Sequence, residues 1–212
     1  MVMDKQPPSE SRPGRKRSAE SRMAILVAAF ELVGEIGYAG LTIEGIANRA
    51  GCGKQTIYRW WPSKAHVLLE ALAVKADLYI TNADHGSYTD DVRAFLEDTF
   101  RLSRQQRVVD ILRVLMAEAQ INEEFGELFR SSFLQRRRDA LQVVLDRART
   151  RGDLPPRPTA STVLDIVFGT LWYRLLTTRR PMGDDLVEDL TATLTQAAQH
   201  PTNTAIDLGD QQ

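Results

Sequence analysis

Twenty residues, Thr42 to Trp61, constrain this chain more than any other stretch; they read TIEGIANRAGCGKQTIYRWW. They divide into two short helical patterns about Ala50-Gly51-Cys52-Gly53. In the first, Ile43, Ile46, Ala47 and Ala50 fall at i, i+3, i+4 and i+7, which is one face of a helix. Thr42 stands just before it and can cap its free N–H groups. Gly51 can take the left-handed conformation that stops a helix and turns the chain. Lys54 opens the second segment, in which Ile57 faces inward while Lys54, Gln55, Thr56 and Tyr58 face outward. Ala47 is small enough for the two helices to cross closely, with Ile57 sealing the crossing. This is a helix-turn-helix, a hairpin that can lay its second helix in a DNA major groove.

The longer run GYAGLTIEGIANRAGCGKQTIYRWWPSK resembles the DNA-binding end of the tetracycline-repressor (TetR) family of bacterial regulators. The matching parts are the amphipathic helix before Gly37, the Thr42–Ala50 helix, the short Lys54–Trp60 helix, and the Trp61-Pro62-Ser63-Lys64 start of a fourth helix. About a quarter of the chain carries this likeness. It implies an all-α fold of about nine helices, with an N-terminal three-helix helix-turn-helix domain and a C-terminal helical bundle for ligand binding and dimerisation. The corresponding division is a disordered basic arm over 1–17, a DNA-binding domain over 18–62, a ligand-binding and dimerisation domain over 63–200, and a disordered tail over 201–212.

Side-chain chemistry sorts the expected DNA contacts. Gln55 can pair with adenine through two hydrogen bonds, Thr56 can read a base through its hydroxyl or methyl, and Lys54 can reach guanine or phosphate. The resemblance makes Tyr58 a phosphate contact, which fixes register without carrying sequence information. Arg59 and Trp60 are expected on the sugar-phosphate backbone, with bracing of the domain as the alternative for Trp60, and Trp61 in the core. Lys64 is expected on phosphate, and Thr42, besides its capping role, is counted at the same surface. Gly53 stands where many members of the family carry a capping serine, which leaves the second helix less rigid. Ahead of this domain, Arg12-Pro13-Gly14-Arg15-Lys16-Arg17 forms a basic run. Its readings are a solvated tail or an extended arm that places Arg12, Arg15, Lys16 and Arg17 along a minor groove.

Charge supports this polarity. Residues 1–64 hold ten Lys/Arg against six Asp/Glu, a net +4, which leaves −5 for the rest of a chain whose total is −1. A basic head on an acidic body focuses DNA contact at one end. No apolar run reads as a bilayer span and no hydrophobic signal region follows the polar N-terminus, so a cytoplasmic protein is expected. The single cysteine, Cys52, excludes an intrachain disulfide and reads as a small buried filler rather than a redox sensor. His66 reads as a solvated residue, and the three histidines lack metal-ligand spacing, so no metal or cofactor is expected.

Elsewhere the chain alternates helical patterns with short breaks. Helix 1 is expected over Ser18–Ile36, with Ile25, Ala28, Ala29, Leu32, Val33 and Ile36 inward and Gly37 as its stop. Ser63 is expected to cap helix 4. Residues 82–89 read as a loop, followed by helices over 90–105, through Gln120, and over 122–151. Phe125, Phe129 and Phe133 fall at i, i+4 and i+8 and read first as core. In a body hollowed for a ligand they would also line the pocket, together with Phe100, Met116 and Trp172. The Arg136-Arg137-Arg138 run reads as a solvated face. After the break GDLPPRP, two further helices carry Val163, Ile166, Val167 and Thr170, and then Leu186, Leu190 and Leu194, the expected interface of a homodimer.

The function these features point to is sequence-specific regulation of transcription. A homodimer would bind a near-palindromic double-stranded operator as a repressor and be released by a small hydrophobic effector, as the resemblance implies. Two other classes stand beside it. An enzyme would need a phosphate loop, nucleophile elbow or metal motif, and none is present. A regulator whose body only dimerises has the same composition as one with a pocket. Activation in place of repression depends on where the operator lies.

Overall fold

The computed structural model describes residues 13–196. Ten α-helices follow in order: α1 (Pro13–Gly40), α2 (Ile43–Ala50), α3 (Lys54–Tyr58), α4 (Lys64–Tyr79), α5 (Tyr88–Ser103), α6 (Gln106–Ile121), α7 (Glu123–Phe129), α8 (Gln135–Arg151), α9 (Ala160–Tyr173) and α10 (Asp184–Gln196). A π-helical turn, Arg130–Leu134, joins α7 to α8 without a loop, and a second, Arg174–Thr178, extends α9. The described residues thus form nine helical rods, and the fold is all-α as expected. Packing divides them into two compact units: residues up to Ala76 together with Gln106–Phe133, and Asp77–Gln105 together with Leu134 onward.

In the first unit α1 packs on α2 and α6, and α6 on α7. Ile25, Leu26, Ala28, Ala29, Leu32 and Val33 make the buried stripe of α1. Ile36, expected in that stripe, is instead 52% exposed. Gly37 explains this: at φ 71°, ψ 170° it interrupts the helical backbone one residue later, so the last turn leaves the packed face. The helix also begins earlier than expected. Pro13 stands in its first turn, where a missing N–H costs nothing, so Arg15, Lys16 and Arg17 lie on helical backbone instead of an extended arm. Arg12, the rest of the arm and the tail beyond residue 200 lie outside the described residues. The Ser18–Gly40 portion of α1 is long and apolar enough to cross a bilayer, contrary to the reading of the sequence. Here its apolar stripe is taken up by α2 and α6.

The aromatic stripe belongs to this first unit. Phe125, Phe129 and Phe133 are buried and stack nearly parallel, with centroids 6.4 and 5.6 Å apart. Met116 is half-buried in the same unit, whereas Phe100 and Trp172 belong to the other. Neither unit contains the whole expected pocket set.

The second unit is organised on α5, which packs against α8 and α10, while α9 packs on α8. Five of the residues expected at a dimer interface, Val163, Val167, Leu186, Leu190 and Leu194, are buried by the chain's own packing. That corrects the expectation: apolar periodicity marks the face a helix buries, not the chain that covers it. Ile166 and Thr170 are half-buried, beside exposed Asp165, Gly169 and Tyr173. The arginine run is also less open than expected. Arg136 and Arg137 both pair with Asp77, Arg138 pairs with Asp165, and Arg137 is buried.

A buried carboxylate holds α5 to α8. Asp91 accepts hydrogen bonds from the His85 N–H at 2.6 Å, Arg147 Nε at 3.1 Å and Arg151 Nη2 at 2.8 Å. Arg147 also donates to the carbonyls of Asn82 and Ala83, so the incoming loop is tied down by the same guanidinium. Burial alone would push the Asp91 carboxyl up, but these bonds outweigh it and hold the group below its ordinary 3.8. Its contribution to stability is therefore fully present above that ordinary value and is lost as pH falls through the lower, folded value. Asp91→Asn takes the buried carboxylate from between two guanidiniums and leaves them only the more exposed Asp84 and, for Arg151, Asp153. It should cost about 3 kcal/mol and flatten the acid limb of the stability curve, as read by urea unfolding across pH.

Candidate nucleic-acid interface

The geometry of the head follows from its turn. Thr42, in extended conformation and exposed, caps α2 by accepting the Gly45 N–H at 3.0 Å. Gly51 ends α2 at φ 66°, ψ 35°, the left-handed geometry that returns its own N–H and that of Cys52 to the carbonyls of Asn48 and Ala47. Ile46 and Ala47 of α2 and Ile57 of α3 are buried where the helices cross. Cys52 is half-buried, not fully as expected, and its thiol is pushed up by burial, away from the reactive thiolate.

The five residues of α3 present one buried side chain, Ile57. Lys54, Gln55, Tyr58 and Arg59 are exposed and Thr56 is half-buried, so the side chains expected to read bases or grip phosphate share the open side of this helix. Lys54 Nζ lies 3.3 Å from Glu44 Oε2, an exposed pair that DNA phosphates can displace at small cost. Gly53 supplies no side-chain cap, as expected from the missing serine.

Trp60 and Trp61 follow α3 and have separate fates. Trp61 is buried and donates from Nε1 to Glu70 Oε2 at 2.8 Å. Trp60 is half-buried, edge-on to Trp61 at 5.4 Å, with the Arg59 guanidinium 5.0 Å and the Arg22 guanidinium 5.8 Å from its ring centroid. Trp60 therefore packs within the head and keeps part of its ring open. Arg22 was not singled out from the sequence. Its Nε and Nη2 grip the two oxygens of Glu70 at 2.7 and 2.6 Å, and its face lies 5.2 Å from the centre of Trp61. Burial pushes the Glu70 carboxyl up, but the bonds from Arg22 and Trp61 and the Arg22 charge together hold it below its ordinary value.

Lys64 differs from expectation. Its ammonium donates to the carbonyls of Tyr38 at 2.8 Å and Leu41 at 2.9 Å and sits 4.1 Å from the centre of the Tyr38 ring. It adds to the hydrogen bonding of the backbone where α1 ends, so its ammonium is turned toward the chain. The Ser63 hydroxyl pairs with His66 Nδ1 at 2.9 Å, where a backbone cap was expected. His66 is half-buried and edge-on to Phe125 at 5.1 Å, not solvated. Burial pushes its imidazole below the ordinary value of 6.5, against the opposing influence of Glu124 and Glu118.

These contacts separate two roles for Lys64. Lys64→Met should lower stability by about 2 kcal/mol and leave the dependence of DNA affinity on salt unchanged. A phosphate contact would instead reduce the slope of log affinity against log salt by about 0.9. Thermal unfolding and anisotropy titrations at several salt concentrations measure both.

Comparison with known proteins accords with this geometry. Residues 25–71 match the family model described as bacterial regulatory proteins, tetR family, and residues 82–194 match the Tetracyclin repressor-like, C-terminal domain. The chain is 31% identical over 181 residues to the uncharacterized HTH-type transcriptional regulator YdeS of Bacillus subtilis, covering 85% of this chain and 91% of YdeS. A crystal structure of the TetR family transcription regulator SCO0332 superposes with a TM-score of 0.73 at 29% identity, covering 84% of this chain and 97% of that one. FadR from Bacillus subtilis, solved in complex with stearoyl-CoA, shares the fold at a TM-score of 0.64 and 18% identity, covering 84% and 99%. The chain belongs to the tetracycline-repressor (TetR) family of bacterial transcriptional regulators, which are DNA-binding transcription factors and not enzymes.

Proposed function

We propose that the protein is a repressor that acts in the bacterial cytoplasm as a homodimer on a near-palindromic operator. Gln55 and Thr56 read base edges, while Lys54, Tyr58 and Arg59 hold phosphates. The observation that carries this reading is the open side of α3, where these side chains stand together on a helix whose single buried contact is Ile57. Arg15, Lys16 and Arg17 add positive charge to the helix leading into the head. A bound dimer lying over a promoter excludes polymerase, which gives repression.

The second copy docks on the open face of α9, where Ile166, Gly169, Thr170 and Tyr173 follow one another at helical spacing. Gly169 allows close approach, since a Cβ there meets no neighbour within 4 Å. Tyr173, 60% exposed, supplies the large side chain such an interface needs. The effector is small and hydrophobic. The stearoyl-CoA bound by FadR supports that class, and the buried phenylalanines of the first unit supply apolar surface that can repack around it. By favouring a conformation with the heads wrongly spaced, the effector weakens operator binding; a coupling of about 1–3 kcal/mol corresponds to roughly 5–150-fold.

Fluorescence anisotropy against the DNA flanking its own gene, with scrambled DNA as control at fixed salt, tests the reading. Gln55→Ala should lower the preference for native over scrambled DNA about tenfold, and Tyr58→Phe should weaken both alike. Equal affinity of the wild-type protein for the two DNAs contradicts the site-specific reading. Sedimentation of Tyr173→Glu should show single chains where the wild type shows dimers.

A further inference from the structure

A helix of five residues cannot hold its own direction. It closes too few hydrogen bonds to be stable alone, and α3 lacks both a side-chain cap at Gly53 and a second buried anchor. Its orientation is set by what holds its ends. The turn at Gly51 fixes the beginning. At the other end the amides of Arg59, Trp60 and Trp61 bond back to the carbonyls of Gln55 and Ile57, so the backbone runs from the helix straight into Trp61. Trp61 ends on Glu70, and Glu70 is also gripped by Arg22 of α1. One carboxylate thus ties the end of α3 to α1 and α4, three positions that no local pattern joins.

Building on the reading that α3 contacts base edges, we propose that Glu70 is a positioning residue for DNA recognition: through Trp61 and Arg22 it sets the angle at which α3 meets the major groove, without touching DNA. Magnitudes separate this from a stabilising role. The Arg22–Glu70 pair is partly exposed on both sides, and such pairs add little to global stability. A small tilt of α3 moves every base-reading side chain together, and direct readout depends on paired hydrogen bonds that a misplaced side chain cannot close. The carboxylate is needed because both its oxygens accept. Oε1 takes Arg22 Nε, and Oε2 takes both Arg22 Nη2 and Trp61 Nε1. In Glu70→Gln one oxygen becomes an NH2 that faces a donor, so whichever way the amide turns, at least one tie is broken at nearly unchanged volume.

The test uses a DNA site selected by the wild-type chain from a random pool. Glu70→Gln should bind that site about tenfold more weakly, while its affinity for scrambled DNA and its salt dependence stay at wild-type values. Its melting temperature should fall by no more than about 2 °C. Amide exchange should quicken at Arg59, Trp60 and Trp61 and stay unchanged in α8 and α9. Arg22→Lys, which keeps the charge and loses the two-pronged grip, should give the same pattern. Unchanged affinity for the selected site with unchanged exchange overturns the proposal. So does a loss of protection spread through the chain with a large drop in melting temperature, which marks a general structural role. If the wild type selects no site, the operator reading fails, and the exchange measurement still decides whether Glu70 holds α3.

Discussion

The head of this protein is governed by the weakness of α3. A five-residue helix with one buried side chain has almost no stability of its own, so its geometry is borrowed from its surroundings. Gly51 supplies the turn, Ile46 and Ala47 supply the surface on which Ile57 seats, and the Trp61–Glu70–Arg22 tie closes the far end. Lys64 adds a second tie from α4 to the end of α1 and the residue just after it. Each supporting contact lies away from the open side of α3. The exposed side chains of α3 therefore carry none of the frame, which is held by packing and by paired charges beneath them.

In the second unit the same economy appears around Asp91. A carboxylate with almost no exposure is tolerable because an N–H and two guanidiniums compensate it. Its partners come from α8 and from the loop before α5, so a single buried charge registers three segments. The interior of α5, α8, α9 and α10 is otherwise mostly apolar side-chain packing, with Thr99, Ser103, Arg137 and Thr191 as its other buried polar residues.

Local features of the chain were legible from its sequence. The i, i+3, i+4, i+7 spacing of Ile43, Ile46, Ala47 and Ala50, the stop at Gly51 and the break at Pro62 all act within a few residues, and they mark the helix-turn-helix directly. Contacts that act across the chain were not legible. Glu70 pairs with Arg22 across 48 positions, Lys64 reaches back 26 to Tyr38, and Asp91 meets Arg151 across 60, and no periodic signal announces such pairs. Exposed-looking charge misleads for the same reason: Lys64 and His66 look like surface residues until α1 and α7 pack against them. Apolar stripes mark burial at Val163, Val167 and Leu186, but a stripe does not say what covers it. Phe125, Phe129 and Phe133 illustrate the same limit: their spacing told of burial, and only the fold separates them from Phe100 and Trp172.

As proposed, two copies of α3 enter successive major grooves on one face of a near-palindromic site. Hydroxyl-radical footprinting of the full chain on a site it selects measures this most directly. Two protected patches are expected on the same face of the duplex, symmetric about the centre of the site, with midpoints about one helical turn or a small multiple apart (roughly 34–36 Å per turn). A single protected patch, or even protection along the fragment without a centre of symmetry, would contradict it.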